Sequence, residues 1–311
     1  MKRALITGVN GFAGQYLAEN LLDNGYEVWG AGRSGNTASK DGVEKIQLAF
    51  SDIEDITELL ETIKPNVIFH LSGQSSVKKS WGDLKGTFES NLFDTINLLE
   101  SVKNSSLRQE ITLITIGSSE EYGLGVVSPI TEEMMPAPSN PYGLSKYTLG
   151  NLSLMYNNTF GMNIIHTRSF NHIGPRQVEG FVTADFAKQI ANITNGKAER
   201  VIHVGDLSSK RDFTDVRDIV EAYRLLYEKG ERGQIYNVCS GTCISIEDIL
   251  HMLSSFSKYP VKIVIDPNKF RPNNIPEYFG SNNKIFDVTG WKPKITIKQS
   301  LHDIYMYWLN K

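Results

Sequence analysis

The sequence is poor in cysteine and has no long apolar stretch. Its two cysteines, Cys239 and Cys243, lie in CSGTC, whose spacing matches neither a CxxC redox pair nor a set of zinc ligands. We therefore expect idle or buried thiols and no metal site. Thr7, Gly8 and Asn10 interrupt the apolar start of the chain, and no apolar run approaches the length of a membrane span. A cytoplasmic protein without a membrane segment is the expectation.

The chain also lacks a strong excess of charge. Its formal net charge is −3 at pH 7 and its lysines and arginines are scattered, whereas a nucleic-acid surface needs basic residues clustered on one face. We therefore expect a small-molecule ligand and no nucleic-acid partner. With 311 residues and no repeat or low-complexity tract, the chain can form one large domain, or a large and a small one.

Short β-branched runs alternate with amphipathic stretches through the first half of the chain. RALIT, EVWGAG, NVIFHLSG and ITLITIG are typical of strands, and GQYLAENLLDNG and FESNLFDTINLLESVK are typical of helices. This alternation predicts an α/β fold with a Rossmann-like, doubly wound parallel sheet. We expect residues 1–172 plus about 213–240 to form the dinucleotide-binding domain, and about 173–212 plus 241–311 to form a smaller α/β substrate domain over the carboxyl ends of the strands.

A glycine-rich turn follows the first predicted strand. Gly8, Gly11 and Gly14 are spaced as GxxGxxG and open the first predicted helix. Glycines allow the backbone to turn tightly and to approach a pyrophosphate, whose negative charge is stabilised at a helix amino terminus. We therefore predict a dinucleotide site that also includes Asn10 and Phe12. A purely structural glycine turn is the alternative.

The end of the second predicted strand indicates which dinucleotide binds. An Asp or Glu is expected there for the ribose 2′-hydroxyl of NAD, but this sequence reads Ala31, Gly32, Arg33, Ser34. An arginine suits the 2′-phosphate of NADP. Arg33 therefore favours NADP(H), with NAD(H) as the second choice, and an ordinary surface arginine is the alternative interpretation.

Tyr142 and Lys146 form a YxxxK pattern at the start of a long predicted helix. Residues four apart lie on the same face of a helix, so the Lys146 ammonium is expected to lower the pKa of the Tyr142 phenol and prepare it for proton exchange. The same spacing recurs at Tyr307 and Lys311, in an apolar terminal helix where core packing explains the tyrosine. Position along the chain therefore selects the first pair.

Four motifs occur in order over the first half of the chain: the GxxGxxG turn, HLSG at residues 70–73, GSSEEYG at 117–123 and PYGLSK at 141–146. Together they resemble the extended short-chain dehydrogenase/reductase family, whose members act largely on nucleotide sugars. In the second half, RSFNHIGPRQ, GFVTADFAKQI, KRDFTDVRDIVEAY and GSNNKIFDVTGWKPKI resemble the GDP-mannose branch of that family. The resemblance covers nearly the whole chain and implies an NADP(H)-dependent enzyme that forms a homodimer.

The resemblance also implies roles for individual residues. Ser118 would hydrogen-bond the oxygen at sugar C4, Tyr142 would exchange its proton, and Lys146 would bind the nicotinamide ribose. Asn91 would be structural. Further cofactor contacts are implied at Asp52, Ile53, Leu71, Ser72 and Gly73. Substrate contacts are implied at Ser75, Ser119, Glu120, Asn171, Phe181, Val182, Lys188, Arg211 and Arg271. The two arginines suit a diphosphate or a ribose, with generic surface charge as the alternative.

Glu120 decides between two activities. In the 4,6-dehydratases of the family a glutamate at this place removes the sugar C5 proton, and Ser119 beside it is typical of the GDP-mannose dehydratases. The same motif with its doubled glutamate also occurs in the family's 4-keto reductases, which need no C5 base. We therefore expect an NADPH-dependent reductase of the C4 ketone of a nucleotide-linked 4-keto-6-deoxy-hexose. GDP is the preferred nucleotide, and the product is a GDP-6-deoxy-hexose such as GDP-D-rhamnose. A 4,6-dehydratase that uses Glu120 as its base is the alternative.

Two details bear on this prediction. Asn274 stands three residues after Arg271, where the GDP-sugar enzymes typically have a glutamate, so the identity of the nucleotide stays open. A regulator that kept the dinucleotide fold and lost the chemistry would show a broken triad, whereas Ser118, Tyr142 and Lys146 are all present. The intact triad favours an enzyme.

Overall fold

The structure, a computed structural model, describes residues 1–32, 42–267 and 276–311, so Arg33, Arg271 and Asn274 lie outside the described residues. In chain order the strands are β1 (Arg3–Thr7), β2 (Glu27–Gly32), β3 (Val43–Gln47), β4 (Val67–His70), β5 (Thr112–Ile116), β6 (Asn163–Ser169), β7 (Asn171–Ile173), β8 (Val201–Val204), β9 (Lys210–Arg211), β10 (Phe213–Asp215), β11 (Ile235–Val238), β12 (Ile244–Ser245), β13 (Lys262–Ile265) and β14 (Glu277–Tyr278).

Helices connect most of these strands. They are α1 (Phe12–Asp23), α2 (Ile53–Ile63), α3 (Val77–Gly82), α4 (Leu84–Phe88), α5 (Asp94–Asn104), α6 (Pro141–Phe160), α7 (Val182–Thr194), α8 (Val216–Lys229), α9 (Ile246–Ser255), α10 (Asn283–Thr289) and α11 (Ile297–Leu309). A wide helical turn, Glu89–Phe93, joins α4 to α5, and a tight helical turn, Ser119–Glu121, follows β5.

Seven of the described strands form one parallel sheet in the order β11–β6–β5–β4–β1–β2–β3. The winding reverses at β1, which pairs with β2 on one side and with β4 on the other. Doubly wound sheets bind their ligands at such a reversal, outside the carboxyl ends of the strands. The predicted Rossmann-like fold is therefore confirmed, and it places the turns after β1, β4 and β5 around one crevice.

The central strands are apolar because both faces of the sheet are covered. Along β1, Ala4 and Ile6 join one buried core while Leu5, between them, joins another, since successive side chains of a strand point to opposite faces. Helices α1 and α8 cover the first face, and α2 and α5 cover the second. This double covering explains why the strands are almost continuously apolar in sequence.

A further core belongs to the second half of the chain. Helices α7, α9 and α11 pack their apolar faces together with β8, through side chains such as Ile190, Ile249 and Ile304. This packing agrees with a smaller substrate domain, whose exact bounds stay a prediction. β9 pairs with β12 and β14, so that Arg211 lies opposite Ile244 and Tyr278. Among the described helices, none has the length and apolar character that crossing a membrane requires.

Candidate active site

The turn between β1 and α1 depends on glycine. Gly8 has a φ of 73°, and a Cβ placed on it would lie 2.8 Å from the backbone nitrogen of Ser72. A Cβ on Gly14 would lie 2.3 Å from the carbonyl oxygen of Gly8. α1 begins after Gly11, and no side chain among the described residues caps its first N–H groups. Those N–H groups are therefore open to an anion.

The loop after β4 comes close to this turn and to α6. The Ser72 N–H donates to the hydroxyl of Thr7 at 3.2 Å, which joins the loop to the end of β1. Asn91 accepts from the N–H of Gln74 at 2.7 Å and donates to the Ser145 hydroxyl at 3.0 Å. A Cβ on Gly73 would lie 2.6 Å from Oδ1 of Asn91 and 3.7 Å from Nζ of Lys146. The loop that contains Leu71, Ser72 and Gly73 therefore lies beside the YxxxK helix.

Ser118, Tyr142 and Lys146 meet at the carboxyl end of β5. They are 8%, 9% and 6% exposed. The Ser118 hydroxyl lies close enough to the Tyr142 phenol to lower its pKa, and the Lys146 ammonium donates to the carbonyl of Ile116 at 2.8 Å. The structure thus brings together the three residues that the motifs selected, in a place from which bulk water is largely excluded.

The pKa values of this group differ from those that the YxxxK spacing predicts. Burial raises the pKa of Tyr142; the hydrogen bond with Ser118 lowers it, while the charges of Glu120 and Glu121 raise it further. The predicted decrease caused by Lys146 is therefore wrong for this structure, because desolvation of the phenolate dominates. Burial lowers the pKa of Lys146 to about 8, against an opposing effect of Glu121. A phenol that stays protonated at neutral pH is suited to donating a proton.

Glu120 lies beside the start of α6. Its carboxylate accepts a hydrogen bond from Nδ2 of Asn140 at 2.7 Å, and Oδ1 of Asn140 caps α6 by accepting from the N–H of Gly143 at 2.8 Å. The Glu120 N–H donates to the Ser118 hydroxyl at 3.2 Å. Ser119 is buried, and its carbonyl accepts from the hydroxyl of Tyr278. The carboxylate of Glu120 is therefore fixed close to the triad, where it is half exposed.

A cleft of about 670 Å³ opens beside these residues, and ligand pockets for small molecules usually measure about 300–1,000 Å³. Five of the predicted substrate residues lie on its wall: Ser119, Glu120, Asn171, Val182 and Arg211. Arg211 donates to the carbonyl of Lys210 at 2.8 Å, and Asn171 donates to the carbonyl of Asp212 at 3.0 Å. The cleft runs from the turn after β5 to the elements of the second half of the chain.

Other predicted residues lie elsewhere in the structure. Lys188 pairs with Glu179 at 2.6 Å, and its ammonium lies 5.4 Å from the ring of Trp308. Phe181 immediately precedes α7, and Phe12 stacks on the ring of His172. Asp52 caps α2 by accepting from the N–H groups of Glu54 and Asp55, with Ile53 as the first helical residue. Ser75 is exposed on the loop after β4. Ser75, Phe181 and Lys188 are not among the described residues that line the cleft.

Several site residues were not predicted from the sequence. Asn140 and Tyr278 fix Glu120 and Ser119, and Trp81, 68% exposed, lines the cleft. Glu121, the second glutamate of SSEEYG, is completely buried. Only the doubled glutamate and the Asn–Pro start of α6 gave a signal in the sequence, because the other contacts join residues far apart in the chain.

The glycine turn fits a dinucleotide. Side chains at positions 8 and 14 would collide with the backbone, so the turn keeps a backbone surface close to the uncapped start of α1, as a pyrophosphate requires. The approach of Gly73 to Lys146 extends this surface toward the triad. The residues present therefore suit NADP(H), whose site would lead from the glycine turn toward the triad.

Comparisons with known proteins agree with this geometry. A family model described as GDP-mannose 4,6 dehydratase matches residues 5–304. The chain is 35% identical over 309 residues to GDP-6-deoxy-D-mannose reductase from Pseudomonas aeruginosa, covering 99% of this chain and 97% of that one. It is 26% identical over 342 residues to GDP-mannose 4,6-dehydratase from Yersinia enterocolitica, covering 96% and 91%.

A solved structure, that of RMD from Pseudomonas aeruginosa complexed with NADPH, has the same fold. The TM-score is 0.87 at 33% sequence identity, with 100% of this chain and 99% of that chain covered. The resemblance inferred from the motifs is confirmed over almost the entire length of the chain.

The glycine turn gives the first testable prediction. Gly14→Ala should weaken NADPH binding about tenfold or more, because the added Cβ forces the turn to move and overpacking of this kind costs about 1–3 kcal/mol. Gly82→Ala is the control, since a Cβ there meets nothing within 4 Å. Fluorescence titration of NADPH measures both affinities. Equal affinities for the two variants would contradict a cofactor site at this turn.

Proposed function

The chain belongs to the GDP-mannose 4,6 dehydratase family, and on that premise we propose that it is an NADPH-dependent reductase of the C4 ketone of a GDP-linked 4-keto-6-deoxy-hexose. The observation that carries the proposal is the likeness, over the full length, to a GDP-6-deoxy-D-mannose reductase, at 35% identity against 26% for a dehydratase. The structural likeness to RMD complexed with NADPH supports NADP(H), with NAD(H) as the second choice.

The triad supplies the groups that ketone reduction needs. When bound, NADPH supplies the hydride for C4. The Ser118 hydroxyl hydrogen-bonds the ketone oxygen and stabilises the negative charge that develops on it. The Tyr142 phenol, held protonated by burial, donates its proton to that oxygen, so that the ketone becomes a hydroxyl. Lys146 would hold the nicotinamide ribose of the bound cofactor.

A 4,6-dehydratase is the alternative function, and Glu120 is the residue that favours it. A dehydratase would need Glu120 as a free base at the sugar C5, whereas the Glu120 carboxylate is engaged with Nδ2 of Asn140 at 2.7 Å. We therefore assign Glu120 to positioning the sugar and not to removing the C5 proton.

The substrate is proposed to lie in the cleft between the triad and β9. Ser119, Glu120, Asn171, Val182 and Arg211 line that cleft and are proposed as its contacts. Arg211 lies on the cleft wall in the second half of the chain. Its guanidinium suits the diphosphate of a nucleotide sugar. Ligand contacts also stay predictions for five further residues: Ser75, Phe181, Lys188, Arg33 and Arg271. The cytoplasmic location stays a prediction as well.

A direct assay tests the proposed function. The protein is offered NADPH with freshly made GDP-4-keto-6-deoxy-mannose, and in a second tube NADP with GDP-mannose. Oxidation of NADPH in the first tube, followed by its absorbance, is the expected result. A 4-keto sugar formed in the second tube would show that the dehydratase assignment is the right one.

Two variants separate the roles of the site residues. Tyr142→Phe should lower kcat about 100- to 10,000-fold, the usual contribution of a general acid. Glu120→Gln should keep kcat within about tenfold, because the amide oxygen still accepts from Asn140 and one neutral hydrogen bond is worth about 1 kcal/mol. Steady-state kinetics of ketone reduction measures both. If Glu120→Gln abolished reduction while NADPH binding stayed intact, the positioning role would be wrong.

We also propose that the protein is a homodimer, as the resemblance implies. Helices α5 and α6 pack side by side. α6 exposes Leu144 and Met155, and the wide turn that leads into α5 exposes Phe93. Leu144 and Met155 are eleven residues apart, about three helical turns, so they lie on one face. A second copy of the chain would cover this apolar surface.

Oligomeric state tests the dimer. Met155→Glu should shift the mass measured by light scattering from dimer to monomer, because a carboxylate would be buried in the contact. Met306→Glu, on the outside of α11, is the control and should stay dimeric. A monomeric parent protein, or a dimeric Met155→Glu variant, would contradict an interface on α6.

A further inference from the structure

Glu121 is a completely buried carboxylate for which the proposed reaction has no use. It follows Glu120 in the turn after β5, but its side chain points into the protein and not toward the cleft. Burying a charge is costly unless hydrogen bonds and an opposite charge compensate for it. Such a group therefore needs a structural or functional reason.

Three donors surround the Glu121 carboxylate. Oε1 accepts from the backbone N–H of Ser118 at 2.9 Å and from Nε2 of His166 at 3.1 Å, and Oε2 accepts from Nε of Arg168 at 2.8 Å. Burial alone would raise the pKa of Glu121, but His166, Arg168 and the Ser118 N–H together hold it below its usual value. The carboxylate is therefore ionised at neutral pH.

The same cluster fixes the state of His166. Because an ionised carboxylate can only accept, Nε2 of the imidazole carries a proton, and Nδ1 lies 2.9 Å from the Thr115 hydroxyl. Two glycines make room for the cluster: a Cβ on Gly117 would lie 2.1 Å from Oε1 of Glu121, and a Cβ on Gly150 would lie 2.6 Å from Nε2 of His166. Gly150 belongs to α6, the helix that carries Tyr142 and Lys146.

Glu121 acts on both ends of the triad. Glu121 fixes Ser118 by accepting from its N–H. The Ser118 hydroxyl in turn lies beside the Tyr142 phenol and accepts from the N–H of Glu120. At the other end, burial lowers the pKa of Lys146, and the charge of Glu121 opposes that decrease. One buried carboxylate thus holds the serine in place and favours the ammonium form of the lysine.

The other titratable groups that interact with Lys146 or Tyr142 are His70, Tyr223 and Glu120, and the charge of Glu120 acts on Tyr142. Burial lowers the pKa of His70, at the end of β4, to about 3, so its imidazole is neutral. Burial raises the pKa of Tyr142 on α6 and of Tyr223 on α8, so both phenols are protonated. Among the described residues, Glu121 is the negative charge that stabilises the Lys146 ammonium.

We propose that Glu121 is a positioning residue of the reduction: it fixes the short backbone segment from Ile116, whose carbonyl holds the Lys146 ammonium, to Ser118, whose N–H it accepts. The part that concerns catalysis rests on the proposed function, whereas the part that concerns Lys146 is tested by cofactor binding alone. The two glutamates of SSEEYG thus have different roles, because Glu120 faces the cleft and Glu121 faces the interior.

The test removes the buried charges as a pair. Replacing a buried ion pair by apolar residues of similar size often leaves stability unchanged, whereas removing one partner leaves a buried charge alone. The double variant Glu121→Leu/Arg168→Met therefore leaves no buried charge alone and should fold, but with a lower unfolding temperature than the parent, because the Ser118 N–H and Nε2 of His166 lose their acceptor. Its kcat should fall about 10- to 100-fold, since a small misplacement of a catalytic group has an effect of this size.

Cofactor binding gives the second readout. NADPH affinity of the parent should decline as the pH rises through the pKa of Lys146, and Lys146→Met should show no such decline. In the double variant the decline should move toward acid, because the ammonium has lost the carboxylate that opposed the effect of its burial. Glu121→Gln keeps an acceptor for the Ser118 N–H, so it should show the same shift in pH with a smaller loss of kcat, and it replaces the double variant if that one does not fold.

Asp218→Asn is the matched control. Asp218 is also a buried carboxylate, and it accepts from the N–H groups of Lys294 and Ile295, not from a residue of the triad. It should lose stability while kcat and the pH dependence of NADPH binding stay those of the parent.

A double variant with parental kcat would overturn the effect on Ser118, and an unmoved binding profile would overturn the effect on Lys146. Failure of the parent to reduce the ketone would refute the proposed function but leave the binding test intact.

Discussion

The architecture of the site depends on one buried interaction, the ionised Glu121 carboxylate with the donors of Ser118, His166 and Arg168. It joins the turn after β5 to two side chains of β6, and it lies directly beneath α6. The strand that ends at Ile116, the serine that follows it and the helix with Tyr142 and Lys146 are thereby held in one arrangement. The cleft outside this arrangement is open to a ligand. Glu121 and its partners, which hold the arrangement together, are buried away from water.

Short-range patterns in the sequence predicted much of this arrangement. The glycine spacing predicted the turn after β1, the βαβ alternation predicted the parallel sheet, and YxxxK predicted the pair of Tyr142 and Lys146, to which the family resemblance added Ser118. Each of these patterns is local, and local geometry follows from residue type. Arg33 and Arg271, by contrast, lie outside the described residues. The contacts predicted for them, with the cofactor and with the substrate, therefore stay predictions.

Two kinds of property could not be predicted from the sequence: pKa values that depend on burial, and hydrogen bonds between residues far apart in the chain. The spacing of Tyr142 and Lys146 predicted a lowered phenol pKa, but the depth at which the phenol lies raises it instead. Glu121 bonds to residues 45 and 47 positions away, which no local pattern reveals. The doubled glutamate was visible, but only the fold shows that one carboxylate faces the cleft and its neighbour faces the core. This division explains how a motif shared with dehydratases can serve a reductase.

The most direct test of this account is to carry out the reduction of GDP-4-keto-6-deoxy-mannose with NADPH in D₂O and to locate deuterium in the sugar product by NMR. The account predicts protium at C4, because the hydride comes from NADPH, and protium at C5, because Glu120 removes no proton there. Deuterium at C5 above the level of a sample without enzyme would contradict it, since a base would then act on that carbon.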